Sequence, residues 1–193
     1  TDAVVRRLAG RVRHVRHETN KRYGGAVKTG LASARYRYVF FSDGDGQFDL
    51  SELPEFVRPL GDPRVDAVIG YRRKRRDPFF RLVNAYCWGA LVRTLFGIAA
   101  RDIDCAFKVL PTAVVRRLAL KANGALISTE ILAKLDRAGV RWVERPVTHL
   151  PRERGTPTGA NPKVILLAFI ELFRFRKELA GFRLDPEAKT PPA

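Results

Sequence analysis

Strand-like and helix-like segments alternate along nearly the whole chain, which predicts an α/β domain built on a mostly parallel sheet with helices on both faces. Two further observations support that class. An apolar strand candidate, Tyr38 to Phe41, runs directly into an acidic, glycine-rich turn, and ligand sites in open α/β sheets lie at such carboxyl ends. The 193 residues, 46% hydrophobic and 29% charged, suffice for one domain with a sizeable core.

The elements follow in order. Asp2 to Ala9 reads as a short helix, and Arg11 to His17 as a strand alternating Val12 and Val15 with basic residues. Gly25 to Arg35 is a helix of small residues, and Tyr38 to Phe41 a buried strand. Ser51 is placed to cap the next helix, with Pro54 tolerated in its first turn. Val65 to Gly70 is a strand leading into the basic run Arg72 to Arg76, and a long helix spans Phe79 to about Ile98. Ile103 to Leu110 reads as a strand and Pro111 to Leu120 as a helix. Ser128 to Ala138 is a helix stopped by Gly139, and Val140 to His149 is the last strand. A Gly/Pro/Thr-rich loop, Arg152 to Pro162, precedes an amphipathic helix from Lys163 to about Leu179. The organisation expected is a domain over 1–162, an interfacial helix over 163–180 and a disordered tail over 181–193.

The chain carries 36 basic against 20 acidic side chains, a formal charge of +16. Such a field attracts phosphates, whether of nucleic acid, nucleotide-sugar or anionic lipid. The basic residues are mostly Arg, and a general bias toward Arg accounts for part of the excess. Two cysteines, Cys87 and Cys105, exclude a disulfide scaffold and read as reduced, partly buried thiols of a cytosolic protein. No uncharged stretch has the length to cross a bilayer: Val164 to Ile170 is too short, and Arg81, Asn84 and Arg93 interrupt Phe79 to Ala100.

The strongest chemical signal is Asp43-Gly44-Asp45-Gly46-Gln47. Two carboxylates one glycine apart, at the end of a strand, suit a divalent cation that also binds a diphosphate. Hard oxygen ligands match Mg²⁺ or Mn²⁺, with coordination positions left for phosphate oxygens. Alone, the same residues also suit a plain turn.

Several segments together resemble family 2 glycosyltransferases of the GT-A fold, especially the dolichyl-phosphate mannosyltransferase and polyprenyl-phosphate hexosyltransferase kind. Asn20 to Gly30 is similar to the family's N-x-G-x-G-x-A-x-x-x-G segment, and Ser42 to Gln47 to its D-x-D-x-Q motif. Val68-Ile69-Gly70-Tyr71-Arg72 resembles its V-x-G-x-R strand. Asp104-Cys105-Ala106-Phe107-Lys108 resembles its acidic segment ending in Phe-Lys, with Ala106 where glycine is commoner, and His149 to Gly155 its H-x-x-R-x-x-G loop. Thr1-Asp2 looks like the tail of an Asp-Asp-Gly-Ser-Thr-Asp motif, so the family's first two strands and base-reading pocket are expected to be missing from this chain.

The resemblance implies an inverting transfer of a hexose from a GDP- or UDP-sugar to a polyprenyl or dolichyl phosphate, assisted by Mg²⁺ or Mn²⁺. It puts Asp43 on the ribose or diphosphate, and Asp45 and Gln47 at the metal. Arg72 and Arg81 fall at acceptor-phosphate positions, Arg152 in a late active-site loop, and Lys28 within reach of a donor phosphate. Asp104 either lines the site or caps a strand, and Glu130 orients a loop or pairs with an arginine rather than acting as a base. His14, His17 and His149 read as structural or surface residues. An ionised lipid phosphate attacks without a strong general base. Peripheral contact at the cytoplasmic face of a membrane is expected; the apolar helix faces edged with Arg suit an interfacial position, or else ordinary packing against the sheet. Rival readings are a glycan acceptor, an inactive remnant, and a basic nucleic-acid-binding module. The last is disfavoured because the aromatics lie in apolar strands and helices, so no nucleic-acid partner is expected.

Overall fold

The computed structural model describes residues 5, 7–8, 10–73, 79–151 and 162–184, with the backbone alone at 79–82, 84 and 162–168. Among the described residues, six helices accompany a four-stranded sheet: α1 (Arg22–Ser33), β1 (Tyr38–Ser42), α2 (Leu53–Val57), β2 (Ala67–Arg73), α3 (Phe79–Phe96), β3 (Phe107–Pro111), α4 (Thr112–Arg117), α5 (Ile127–Arg137), β4 (Trp142–Thr148) and α6 (Pro162–Ala180). Short 3₁₀ turns at Leu50–Glu52 and Arg58–Gly61 flank α2.

The strand order is β1-β3-β2-β4. β3 pairs antiparallel with both β1 and β2, and β2 pairs parallel with β4. Strands β1, β2 and β4 therefore run the same way, with β3 inserted against them. The expected parallel sense holds for three of the four strands, but only one ladder is a parallel one. This arrangement gathers the carboxyl ends of β1, β2 and β4 and the amino end of β3 at one edge of the sheet. Ser42 opposite Phe107 and Arg73 opposite Thr148 fix that register.

The core falls into three clusters. On one side Val27, Leu31, Leu110, Leu118, Ile127, Ile131 and Leu135 pack together; on another Val92, Ile98, Leu132, Leu172 and Phe175 do so. A third cluster joins Phe56, Val68, Phe107 and Val109, with Phe107 meeting the Phe40 and Phe56 rings edge-on at 4.7 and 4.6 Å. Gly70 is required where β2 crosses β3, because a Cβ there would stand 2.7 Å from the Phe107 carbonyl oxygen. α5 stops as expected at Gly139, whose φ is +72°.

Several expectations are corrected. Arg11 to His17 is not an extended strand: Val12 carries a single β-bridge, Val12 and Val15 are about half exposed, and none of the four described sheet strands pairs with them. Strand β1 is only half-buried apart from Phe41, because it forms an edge of the described sheet. Asp49, not Ser51, caps the turn into α2, its carboxylate accepting from the Ser51 amide at 3.0 Å. The strand expected from Ile103 begins at Phe107. Cys105 is buried, but Cys87 is exposed. The tail is docked at its start, where Phe182 packs on the core and lies 5.2 Å from Lys134 Nζ. The helix expected over Asp2 to Ala9, most of the basic run 74–76, the loop 152–161 and the tail beyond Leu184 lie largely or wholly outside the described residues.

Candidate active site

Asp43 follows the last residue of β1, so the sheet delivers its carboxylate to the shared edge. The turn that carries Asp45 is closed by its own hydrogen bonds: the Gln47 amide donates to Asp45 Oδ1 at 3.2 Å, and Gly46 takes φ +74°. Gln47 then ties the turn to the chain leaving β4. Its carbonyl accepts from the Leu150 amide at 2.9 Å, and its Nε2 donates to the Leu150 carbonyl at 3.2 Å. Phe48 bridges to His149, with the two rings 5.9 Å apart. Glu52 secures the same strand end by accepting from the Thr148 amide at 3.0 Å.

Asp43 is not isolated. Tyr23, from the start of α1, donates its phenol hydroxyl to Asp43 Oδ1 at 2.9 Å. Burial raises the Asp43 pKa; the Tyr23 hydrogen bond opposes that, the Asp45 charge adds to it, and Lys108 and Arg72 act to lower it. Burial, followed by the charge and hydrogen bond of Asp43, pushes the Tyr23 phenol far above its ordinary value, with smaller contributions from Asp104 and Asp45. The edge thus concentrates acidic groups around one phenol, faced by two cations.

Those cations are held from behind. Arg72 forms a bidentate pair with Asp102, Nε to Oδ2 at 2.6 Å and Nη2 to Oδ1 at 2.7 Å, and its backbone amide donates to Oδ2 at 3.2 Å. The two side chains are 13% and 11% exposed. Burial works against the Arg72 charge, but the Asp102 hydrogen bonds and charge outweigh it and leave the pKa raised. Lys108 is fully buried and donates to the carbonyls of Ile103 and Cys105. Burial lowers its pKa and raises that of the Cys105 thiol to about 12.

Of the residues the sequence singled out, Asp43, Asp45 and Gln47 come together in one turn, with Arg72 near enough to act on Asp43 electrostatically. Lys28, expected at a donor phosphate, donates to the Lys121 carbonyl at 2.9 Å and Asn123 Oδ1 at 2.8 Å. Glu130 does orient a loop: it accepts from the amides of Lys121 and Ala122 and pairs with Lys134. The Arg81 side chain and the whole of Arg152 lie outside the described residues. Among the described residues, no three His, Cys, Asp or Glu side chains form a group that could hold a metal by themselves. Sequence reasoning missed Tyr23 and Asp102; the signals were the place of Tyr23 within Asn20 to Gly30 and of Asp102 just before Asp104 to Lys108.

The family model for glycosyl transferase family 2 matches residues 1–124. The chain belongs to that family. As a family 2 glycosyltransferase it is 27% identical over 173 residues to the dodecaprenyl-phosphate galacturonate synthase of Rhizobium johnstonii, covering 80% of this chain and 48% of the relative. It is 23% identical over 163 residues to a dolichyl-phosphate β-glucosyltransferase of Dictyostelium discoideum, covering 75% and 50% of the two chains. With the undecaprenyl-phosphate mannosyltransferase of Micrococcus luteus it shares 26% identity over 157 residues, covering 74% and 63%. The chain therefore spans about half the length of several curated relatives it matches. Among solved structures, the glucosyl-3-phosphoglycerate synthase of Mycobacterium tuberculosis with phosphoglyceric acid superposes with a TM-score of 0.63 at 18% identity, over 96% of this chain and 67% of that one. The same enzyme with Mg²⁺ and uridine diphosphate gives 0.61 at 18% identity, over 89% and 64%. These likenesses establish the GT-A fold.

Proposed function

We propose that this family 2 glycosyltransferase moves a hexose from a GDP- or UDP-linked donor to a polyprenyl or dolichyl phosphate, with inversion at the anomeric carbon. One observation carries the reading: β1 delivers Asp43 and Asp45 to the edge where three strands end and where Arg72 and Lys108 are held. The donor set suits a divalent cation. Two hard carboxylates, with the Gln47 nitrogen turned to Leu150 so that its amide oxygen is the atom available, supply part of a coordination sphere and leave the rest to phosphate oxygens. Asp45 and Gln47 would hold Mg²⁺ or Mn²⁺, and such an ion supplies Lewis-acid neutralisation of the leaving diphosphate. Asp43, steadied by Tyr23, holds the ribose or the diphosphate.

An acceptor phosphate is already ionised at neutral pH, so its attack requires positioning rather than proton removal. Arginine suits that work because its planar fork pairs two phosphate oxygens. Arg72 is oriented for it by Asp102, with Arg81 early in α3 and Arg152 two residues after Leu150 as its partners. The names of the three relatives, each a polyprenyl- or dolichyl-phosphate enzyme, support this acceptor over a free glycan.

The helices support contact with a membrane. No helix among the described residues is long and apolar enough to cross one. α3 and α6 each bury one side, through Val92, Leu172, Phe175 and Leu179. Yet Val83, Tyr86, Phe169, Ile170 and Phe173 remain 37–71% exposed, and the Trp88 and Phe169 rings, 5.7 Å apart, join the two helices. Apolar exposure beside Arg174, Arg176 and Lys177 suits an interfacial position.

The test is transfer of radiolabelled sugar from a panel of GDP- and UDP-sugars to polyprenyl phosphate in detergent. The reading expects label in the organic phase, dependent on added divalent cation. Label passing only to free saccharides would favour the glycan acceptor instead.

A further inference from the structure

We propose that the turn 119–123 belongs to the donor site: it holds the start of α1 so that Tyr23 fixes the Asp43 carboxylate, with Glu130 as the positioning residue behind it. The inference rests on the reading of Asp43 and Asp45 as the grip on a cation and a diphosphate.

The links are continuous. Glu130, 1% exposed, accepts from the Lys121 amide at 2.9 and 3.0 Å and from the Ala122 amide at 2.7 Å. Lys134, four residues on and 4% exposed, pairs with Glu130 at 2.5 Å and donates to the Ala119 carbonyl at 2.9 Å. Ala119 itself stands at φ +47°, a left-handed backbone that an alanine holds only when its surroundings impose it. The turn so fixed then grips α1 at two levels. The Asn123 carbonyl accepts from the Gly24 amide at 2.9 Å, and Lys28 Nζ donates to the Lys121 carbonyl and to Asn123 Oδ1. The approach is so close that a Cβ on Gly24 would stand 2.5 Å from the Ala122 carbonyl oxygen. Tyr23 immediately precedes Gly24, and its hydroxyl reaches Asp43.

A buried ion pair contributes little net stability over an apolar pair of the same volume. Glu130 and Lys134 are better accounted for by what they orient: one turn of backbone, and through it Tyr23, which donates to the Asp43 carboxylate. The site therefore includes residues more than 70 positions from the acidic turn in sequence.

The experiment is a double-mutant cycle on the full chain, read by calorimetric titration with a preformed Mn²⁺–pyrophosphate complex and, separately, by urea unfolding. Tyr23→Phe is expected to weaken binding about tenfold, equivalent to about 1.4 kcal/mol, with little change in the urea midpoint. Glu130→Gln is expected to weaken binding similarly and also to lower the midpoint. The double variant should bind no more weakly than Tyr23→Phe alone. If Glu130→Gln does not fold, Asn123→Ala takes its place in the cycle. Multiplying effects on binding, or a Tyr23→Phe variant that binds like wild type, would overturn the inference while leaving the function standing. A folded wild-type chain that ignores Mn²⁺–pyrophosphate would remove the functional reading itself, and this inference with it.

Discussion

Replacing Asp102 by alanine isolates the Arg72 guanidinium, 13% exposed, in a place built for its partner. Three hydrogen bonds to one carboxylate disappear, two from the guanidinium and one from the backbone amide of Arg72. Breaking a buried ion pair from one side costs about 3–5 kcal/mol, and the lower end applies because both side chains retain some solvent. A loss of about 3 kcal/mol in a chain of this size lowers the melting temperature by about 6–12 °C. Asp102→Asn keeps one acceptor but not the charge, so its loss should be smaller. The Arg72→Met, Asp102→Leu double variant should recover most of the stability, because the cost lies in leaving a cation unpaired rather than in losing the pair. Urea unfolding of the four proteins at neutral pH measures each value. An Asp102→Ala protein within about 0.5 kcal/mol of wild type would refute the argument, as would a double variant no more stable than the single one.

Other expectations follow from single sites. Gly70→Ala drives a Cβ to 2.7 Å from a backbone oxygen and 3.1 Å from the Phe107 Cβ, so it should cost about 1–3 kcal/mol in urea unfolding. Asp43 carries a folded pKa above its ordinary 3.8, so the folded metal-free chain binds a proton more readily than the unfolded one and loses stability as pH rises through that window. Asp43→Asn should therefore stabilise the metal-free protein at neutral pH, with the gain vanishing below pH 3.8, as urea midpoints across pH would show. Phe173→Glu places a charge where a side chain is 54% exposed beside Ile170, and co-sedimentation with anionic vesicles should fall about tenfold without loss of the fold.

Much of this architecture was legible because it is local. Tyr38 to Phe41 announced a strand by its apolar run, Gly139 announced a helix end, and Asp43 to Gln47 announced a ligand turn by its own composition. Arg11 to His17 misled because alternation shows which residues could face a core, not whether the backbone takes up a ladder along its length. Asp49 and Ser51 are both good caps two residues apart, and only the backbone geometry chooses between them. Tyr23 and Asp102 were missed for a different reason. Their chemistry is made across 20 and 30 residues of sequence, by a helix start meeting a strand end and by a turn meeting another strand, and no periodicity encodes such meetings. Lys28 makes such a meeting as well: it joins α1 to the turn at Lys121 and Asn123 across more than 90 residues of sequence.

The central claim is that the Asp43–Asp45 turn holds a divalent cation together with a diphosphate. Electron paramagnetic resonance of Mn²⁺ tests it most directly, with the chain titrated in the presence of UDP and, separately, GDP. The account predicts that at least one nucleotide produces a bound-Mn²⁺ signal that Asp45→Ala abolishes while the variant stays folded. Signals identical in the two proteins, or no bound Mn²⁺ with either nucleotide, would contradict it.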